Sequence, residues 1–555
     1  MTDKKSSNKN NFVMQAGILA AAGIISRMIG LLYRSPLHTV IGNVGLGYYQ
    51  AAYAYYTIVL LISSYSIPSA ISKVIAQKLA VKEYKNAHRI FHCALVYVLI
   101  VGGIASLLLF FGAGWFVEEN AVPVLRTLAP TIFVYGMLGV LRGYFQAHKS
   151  MVQTSVSQIL EQIANAAVSI GGACLIIYST LGTLEHPVDS EAQVERAVSG
   201  AIGSALGTGV GVAAALLFMA GVYWLNRKLI LRRIRRDRHE QVDSYGSIIK
   251  MITLVVTPFI LSTAVYNLSS TVNTKLYTSV YPNMRTLDTV AITEKWGVFS
   301  GQALTISNIP IAFASAMAAA IIPSVAQLVA AKDLEGARGK IGVAVKTTMV
   351  ISIPCAVGLF VLAKPVTYLL FPSNSADSLD MAAKLLMTLS LSVIFYALST
   401  LNSSILQGLG KVNAPIKNAA VALVLQTLTA AVLLFYTDLD LYSVAIANTL
   451  YSGMMCLLNQ WSVRRAVEYK QEIKRTFLLP LLAAIFMGGA AWAVYECLML
   501  LTESMVIAVI PAVLIAVVVY FVMLLLLRGI TEQEMKSFPK GHLLIKVAKK
   551  CKLMK

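Results

Sequence analysis

The chain is built from uncharged apolar runs of about 20 residues or more, and they recur along all 555 positions. A run of that length suits a helix rising ~1.5 Å per residue through a ~30 Å hydrocarbon core. Strand-like alternation is absent. Only 13% of the residues are charged and 57% are hydrophobic, whereas a soluble domain is nearer ~25% charged. The expected fold class is therefore all-α, a polytopic membrane protein.

Fourteen transmembrane helices are expected, near 12–33, 46–68, 90–112, 124–146, 155–178, 199–225, 248–280, 293–328, 342–364, 382–407, 416–436, 442–463, 477–499 and 505–527. The loops between them sort by charge. The N-terminus (Lys4, Lys5, Lys9) and every second loop are basic, including Lys73 to Arg89, "NRKLILRRIRRDR" (226–238), Arg464 to Arg475 and the tail from Arg528. The intervening loops are acidic, as in "EEN" (118–120), "LEHPVDSEAQVE" (184–195) and "YTDLDLY" (436–442). The positive-inside rule then places both termini in the cytoplasm. The net charge of +20 reads as topology plus attraction to anionic headgroups, with no nucleic-acid partner. The tail "KGHLLIKVAKKCKLMK" (540–555) is either an amphipathic piece on the inner leaflet or a solvated end. A cleaved signal peptide is disfavoured, because the first apolar run continues past Ala20–Ala22 to Tyr33. The six cysteines are scattered without a C-x-x-C pair. They read as small apolar helix-wall residues, and no metal site or cofactor is expected.

The chain repeats itself. "IPSAISKVIAQKLAVKEYKNAHR" (67–89) follows the second span and "IPSVAQLVAAKDLEGARGK" (322–340) the eighth. Each reads as an Ile-Pro-Ser exit into a basic turn. "YFQAHKSM" (144–151) closes the fourth span and "ILQGLGKV" (405–412) the tenth, so Gln146 and Gln407 correspond. An even-numbered repeat keeps its orientation, which makes it a parallel one. The expected organisation is an N-lobe (1–226), a basic linker (227–247), a C-lobe (248–475), two further helices (476–528) and a basic tail (529–555). Two six-helix lobes that rock around a central cavity form a transporter architecture.

The first span contains "SRMIGLLYR" (26–34). A charge at membrane depth costs at least ~2.5–3.5 kcal/mol on the insertion scale. Arg27 is ~22 Å along the helix from its cytoplasmic start, and Arg34 lies two turns further on the same face. Arg34 either marks the outer interface or joins an inward-facing site, and Arg27 either snorkels or faces a cavity. An arginine there suits pyrophosphate, because its fork gives two parallel charge-assisted hydrogen bonds. Other polar candidates are Lys275 at the end of "YNLSSTVNTKLY" (266–277), Glu294, Lys295, Gln302 and Asn308. These amides and hydroxyls equally suit helix–helix hydrogen bonding. Glu161 is an acid deep in a span, either a proton relay or the partner of a base such as Arg142.

Fourteen spans as six, six and two, the "SRMIGLLYR" helix, the "IPS" segments and the Gln-Gly turn resemble the multidrug/oligosaccharidyl-lipid/polysaccharide (MOP) flippase superfamily. The resemblance covers nearly the whole chain. It is strongest to the bacterial polysaccharide-transporter branch of stage V sporulation protein B-like and MurJ-type lipid II flippases. It implies a two-lobed, V-shaped transporter of the bacterial cell membrane that moves a lipid-linked oligosaccharide from inner to outer leaflet. The final two helices would hold the polyprenyl tail. Arg27 and Arg34 match the two arginines of that family's first helix, the second displaced by about one residue. Lys73 stands where a basic residue ends the second helix. Thr305 replaces the arginine of the eighth, where Lys275 or Lys295 would substitute. No acid stands in the seventh or eleventh span at a sodium-site position.

The expected function is thus a flippase for an undecaprenyl-pyrophosphate-linked saccharide, a monomer with roles in peptidoglycan synthesis or sporulation. The substrate-binding candidates are Arg27, Arg34, Lys73, Lys275 and Gln302, with Glu161 as ion or proton relay. A MATE-like cation-coupled exporter is the alternative, although it wants an acidic cavity and the acids here crowd the outer loops. A membrane-embedded glycosyl- or acyltransferase is a third reading, and it needs convergent acids or histidines that the spans lack. The orientation is testable in a cysteine-free background. A cysteine at Glu191 should react with an impermeant maleimide in intact cells, and one at Arg232 only after permeabilisation. The reverse pattern would invert the topology.

Overall fold

The computed structural model describes residues 22–23, 25–65, 67–148, 150–185, 187, 189–237 and 243–530 of the chain. The basic N-terminus, the centre of the linker and the tail 540–555 lie outside the described residues. Among the described residues the protein is helical and has no strand. Ten helices there are long and apolar enough to cross a membrane. They divide into two compact units, with the boundary between Gly297 and Val298.

The first unit holds α1 (25–32), α2 (Arg34–Leu60), α3 (Ile67–Ala80), α4 (Tyr84–Phe111), α5 (Ala113–Phe116), α6 (Val122–Ala147), α7 (Val152–Leu181), α8 (Ser190–Arg235), α9 (Tyr245–Lys275), α10 (Tyr281–Arg285) and α11 (Thr289–Trp296). The second holds α12 (Leu304–Ala330), α13 (Leu334–Val361), α14 (Ala363–Leu370), α15 (Ala376–Gly408), α16 (Asn413–Tyr436), α17 (Leu441–Val467), α18 (Leu479–Thr502) and α19 (Met505–Leu526). The helices that follow the basic linker, α9 to α11, pack in the first unit.

The sequence repeat reappears in the backbone. α4 is followed by short α5, and α13 by short α14. The turn before α4 places Lys82 at φ 63°, and the turn before α13 places Lys332 at φ 59°. In the first turn the amides of Lys82 and Glu83 bond Leu79 and Lys78 carbonyls; in the second those of Lys332 and Asp333 bond Val329 and Leu328. The ends of α6 and α15 match as well. Ser150 N–H donates to Phe145 O after α6, and Lys411 N–H to Leu406 O after α15. Packing repeats too: α3 on α4 and α6 in one unit, α12 on α13 and α15 in the other.

Two boundaries differ from the sequence expectation. The Ile-Pro-Ser segments do not end their helices: α3 begins at Ile67 and runs to Ala80, and α12 passes through 322–324 to Ala330. Ile71, Val74 and Ile75, like Val325 in the second unit, keep helical spacing and are buried, so packing sustains the helix up to the lysine turn. The first span also runs past Tyr33. Tyr33 N–H bonds Ile29 O and Leu37 N–H bonds Tyr33 O, both at 3.1 Å. Pro36 has no N–H to give Leu32, yet the helix proceeds to Gly42. There φ is 68° and ψ −178°, a conformation open essentially to glycine alone. Gly42 therefore separates two helical stretches, and Arg34 stands inside the first of them rather than at its end.

α7 and α8 approach through small residues. A Cβ on Gly203, Gly207 or Gly211 would lie 2.3 Å from Ala173 N, 2.1 Å from Ser169 Oγ and 2.6 Å from Glu161 O, respectively. Small residues every four positions let backbones come together where lipid supplies no hydrophobic drive.

At the other side of the unit the 117–121 loop reaches α11. Thr293 Oγ1 donates to Glu118 Oε1 at 2.8 Å. Burial pushes the Glu118 carboxyl up to about 7, although that hydrogen bond favours the carboxylate. The folded protein then holds this proton more tightly than the unfolded chain. The stability it contributes is complete below a normal glutamate pKa of about 4.5 and is lost as pH rises through 7. Thermal unfolding of detergent-solubilised wild type, compared with Glu118→Gln, should reveal a component on the order of 2–3 kcal/mol that disappears between pH 5 and 8. Parallel pH curves for the two proteins would refute it.

Candidate functional site

The helix that carries the arginines has distinct faces. At 100° per residue, exposed Ile25, Met28 and Leu32 cluster on one side. Tyr33 is buried with Leu37 and Ile41 in a small core shared with Ala173, and Ala166 and Ile170 of α7 pack against it. A Cβ on Gly30 would lie 3.3 Å from Gln162 Oε1, so this face meets α7 one residue from Glu161. Arg27 and Arg34 project between these faces, roughly 130° around from the exposed apolar side. Arg27 is exposed and Arg34 half-buried.

Glu161 is engaged. Arg142 Nη2 lies 2.8 Å from Glu161 Oε2, and Arg142 Nε donates to Ser157 Oγ at 2.9 Å. The side chains are 6% and 15% exposed. Of the two roles open to Glu161, this geometry is the ion pair.

A feature absent from the sequence reading joins these groups. α2 carries "YYQAAYAYY" (48–56), five tyrosines in nine residues. Tyr49, Tyr53 and Tyr56 recur at four and three, one stripe of a helix. The Tyr49–Tyr53 and Tyr53–Tyr56 ring centroids are both 5.5 Å apart. Tyr49 Oη and Thr208 Oγ1 are 3.1 Å apart. Tyr53 lies within electrostatic range of both Arg34 and Glu161. The tyrosine density of this segment was the available signal. Tyr53 thus stands near both Arg34 and the Arg142–Glu161 pair, with Arg27 two turns before Arg34 in the sequence.

The remaining candidates stand elsewhere. Lys73 is exposed on α3. Lys275 Nζ donates to Trp115 O at 3.4 Å and Phe116 O at 3.2 Å, capping the carbonyl end of α5. Gln302, in the second unit, is fully buried and trades amide hydrogen bonds with Asn374 at 3.1 and 2.8 Å. In the polar stretch 266–277, Thr271 Oγ1 donates to Ala54 O at 3.3 Å and Thr274 Oγ1 to Ser270 O at 2.8 Å. These hydroxyls tie helices and satisfy backbone. Among the described residues no group of three or more His, Cys, Asp or Glu is placed to hold a metal.

The Arg142–Glu161 pair yields a sharp expectation. Arg142→Ala leaves a buried carboxylate without its partner and should cost about 3–5 kcal/mol. Adding Glu161→Gln should recover part of that loss in thermal unfolding. Additive losses would mean that the pair is not coupled.

The comparisons with known proteins agree on a family. The family model described as lipid II flippase MurJ matches residues 89–514. The chain is similar to the lipid II flippase MurJ of Bacillus subtilis, 24% identical over 84% of this chain and 86% of that protein. It is also similar to stage V sporulation protein B of Bacillus subtilis, 23% identical over 97% of this chain and 100% of the relative. In fold it matches a lipid II flippase MurJ structure in an inward closed conformation. The TM-score is 0.63 at 15% identity, covering 91% of this chain and 97% of that one. An inward-facing multidrug resistance MATE family transporter of the MOP superfamily gives the same TM-score, 0.63, at 17% identity, covering 82% and 98%. The two structural likenesses show the fold, and the family model separates the branches: this multi-pass membrane protein belongs to the MurJ lipid II flippase family.

Proposed function

We propose that the protein moves an undecaprenyl-pyrophosphate-linked saccharide, lipid II or a close relative, from the inner to the outer leaflet. The carrying observation is the match to the lipid II flippase family over residues 89–514. The placement of the arginines supports it. Arg27 is exposed on a face separate from the apolar side of its helix, so it is available to an anion rather than directed into lipid. Arg34 adds a second cation two turns on, beside the tyrosine stripe. A pyrophosphate offers the planar, bidentate acceptors that guanidinium groups match. The tyrosines supply hydroxyls and flat faces for sugar. Transport proceeds as a monomer by alternating exposure of this site to the two sides of the membrane, with both termini in the cytoplasm. The two six-helix sets and the final helix pair together make fourteen spans.

The MATE likeness supports a second reading, export of a cationic solute. Glu161 argues against it, because Arg142 already neutralises that acid.

Leaflet transfer of a labelled undecaprenyl-pyrophosphate glycan in proteoliposomes tests the proposal. Arg27→Ala, in protein shown to be folded, should slow transfer at least ~10-fold, and Arg27→Lys should restore only part, since ammonium lacks the fork. Transfer untouched by Arg27→Ala would remove this residue from the site. Absence of transfer by wild type, with export of a cationic drug, would favour the second reading.

A further inference from the structure

The first unit contains another cavity, of about 170 Å³, remote from the arginine helix. It lies where the end of α3, the start of α4, the end of α6 and the basic extension of α8 meet. α8 is 46 residues long, about 69 Å, so it extends well beyond a ~30 Å hydrocarbon core. Its cavity residues are 226, 229, 230, 233 and 234, a stripe at three- and four-residue spacing. The stripe begins where the apolar part of α8 gives way to the run of arginines. Just before it, Tyr223 stacks on Phe91 with centroids 5.1 Å apart, which fixes the helix against α4.

The lining is rich in donors and contains no carboxylate. His88 Nδ1 is buried without a hydrogen-bond partner among the described residues. His148 engages Tyr144 O through Nδ1 at 2.9 Å, leaving Nε2 for a ligand. Tyr84 and Tyr144 belong to the same lining. Arg233 is exposed and forms no ion pair with the described residues. Donors of this kind, with an unpaired guanidinium and no acid, select an anion; phosphate fits the guanidinium fork. The cavity also continues into an apolar surface. Leu229 lines it and is 55% exposed, while Leu225, one turn before on the same side of the helix, is 73% exposed. An anion held at Arg233 can therefore carry hydrocarbon alongside that surface.

We propose that this cavity binds the phosphate ester of an anionic phospholipid of the inner leaflet, with Arg233 as its charge partner and the acyl chains along Leu229 and Leu225. Only the orientation of α8 is borrowed from the proposed function, and the maleimide experiment on Arg232 tests that separately. A lipid seated there braces the end of α3, the start of α4 and the end of α6 against the extension of α8.

The test uses the full-length protein in mild detergent, titrated with phosphatidylglycerol or phosphatidylcholine and read by native mass spectrometry. Phosphatidylglycerol should be retained in preference. Arg233→Gln should weaken its retention about tenfold, and His148→Gln should weaken it less. Arg232→Gln removes the same charge from an exposed position outside the cavity and should leave retention unchanged. Equal losses for Arg232→Gln and Arg233→Gln, or none in either, would overturn the site in favour of diffuse attraction. Millimolar inorganic phosphate should fail to displace the lipid; efficient displacement would make this a free-phosphate site and sink the lipid assignment.

Discussion

Hydrocarbon offers no partner to a peptide N–H or C=O, and the architecture answers to that one constraint. Each unsatisfied group costs several kcal/mol, so the spanning chain is helical and its irregularities concentrate where protein or water replaces lipid. Gly42, with its left-handed φ of 68°, sits between two helical stretches rather than in the middle of either. The turns at Lys82 and Lys332 close with the same pair of backbone hydrogen bonds. Several polar side chains within the helices bond carbonyls, as Thr271 does with Ala54, or one another, as Asn459 Nδ2 does with Ser403 Oγ at 2.9 Å.

The same constraint gives the buried charges their meaning. Arg142 and Glu161 satisfy each other, and Ser157 takes another guanidinium donor. A pair held this way is weak evidence for stability but strongly resists loss of either member. Arg27 has a different environment, exposed and on a face turned away from the apolar side of α1. A cation left exposed on such a face is open to water or an anionic ligand. The family match over residues 89–514 carries the proposed function, and that contrast between a closed ion pair and an open arginine supports it.

Much of the fold was legible in the sequence because lipid imposes a simple period and length. The apolar runs gave the helices, and the paired Ile-Pro-Ser segments with the corresponding Gln146 and Gln407 gave a repeat that the backbone reproduces at the turns before α4 and α13 and after α6 and α15. Span ends were less legible. A proline after an apolar run reads as a boundary, yet Ile71, Val74 and Ile75 keep α3 packed beyond Pro68. Tertiary contact outweighed the local signal there. The site was legible only in part. Charge at depth exposed Arg27, Arg34 and Glu161, but the tyrosine stripe of α2 resembles ordinary membrane-interface aromatics. Lys275 looked available from its position in the chain. Its contact with the Trp115 and Phe116 carbonyls, about 160 residues away, has no local signature.

The glycine stripe of α8 shows how packing and site are joined. Gly203, Gly207 and Gly211 admit the α7 backbone so closely that a single methyl group at any of them would meet α7 atoms within 2.6 Å. Gly211 is the member that touches Glu161 O. The helix carrying Glu161 is therefore held from behind by α8 and approached from the front by Gly30 through Gln162. A shift of α7 moves the acid, the arginine paired with it and the surface on which α1 rests. Because packed helices in lipid change arrangement in discrete steps rather than by compression, the close α7–α8 contact and the α1 face against α7 are expected to move as one group. A conformational cycle would carry the arginines with that group instead of deforming the cluster around them.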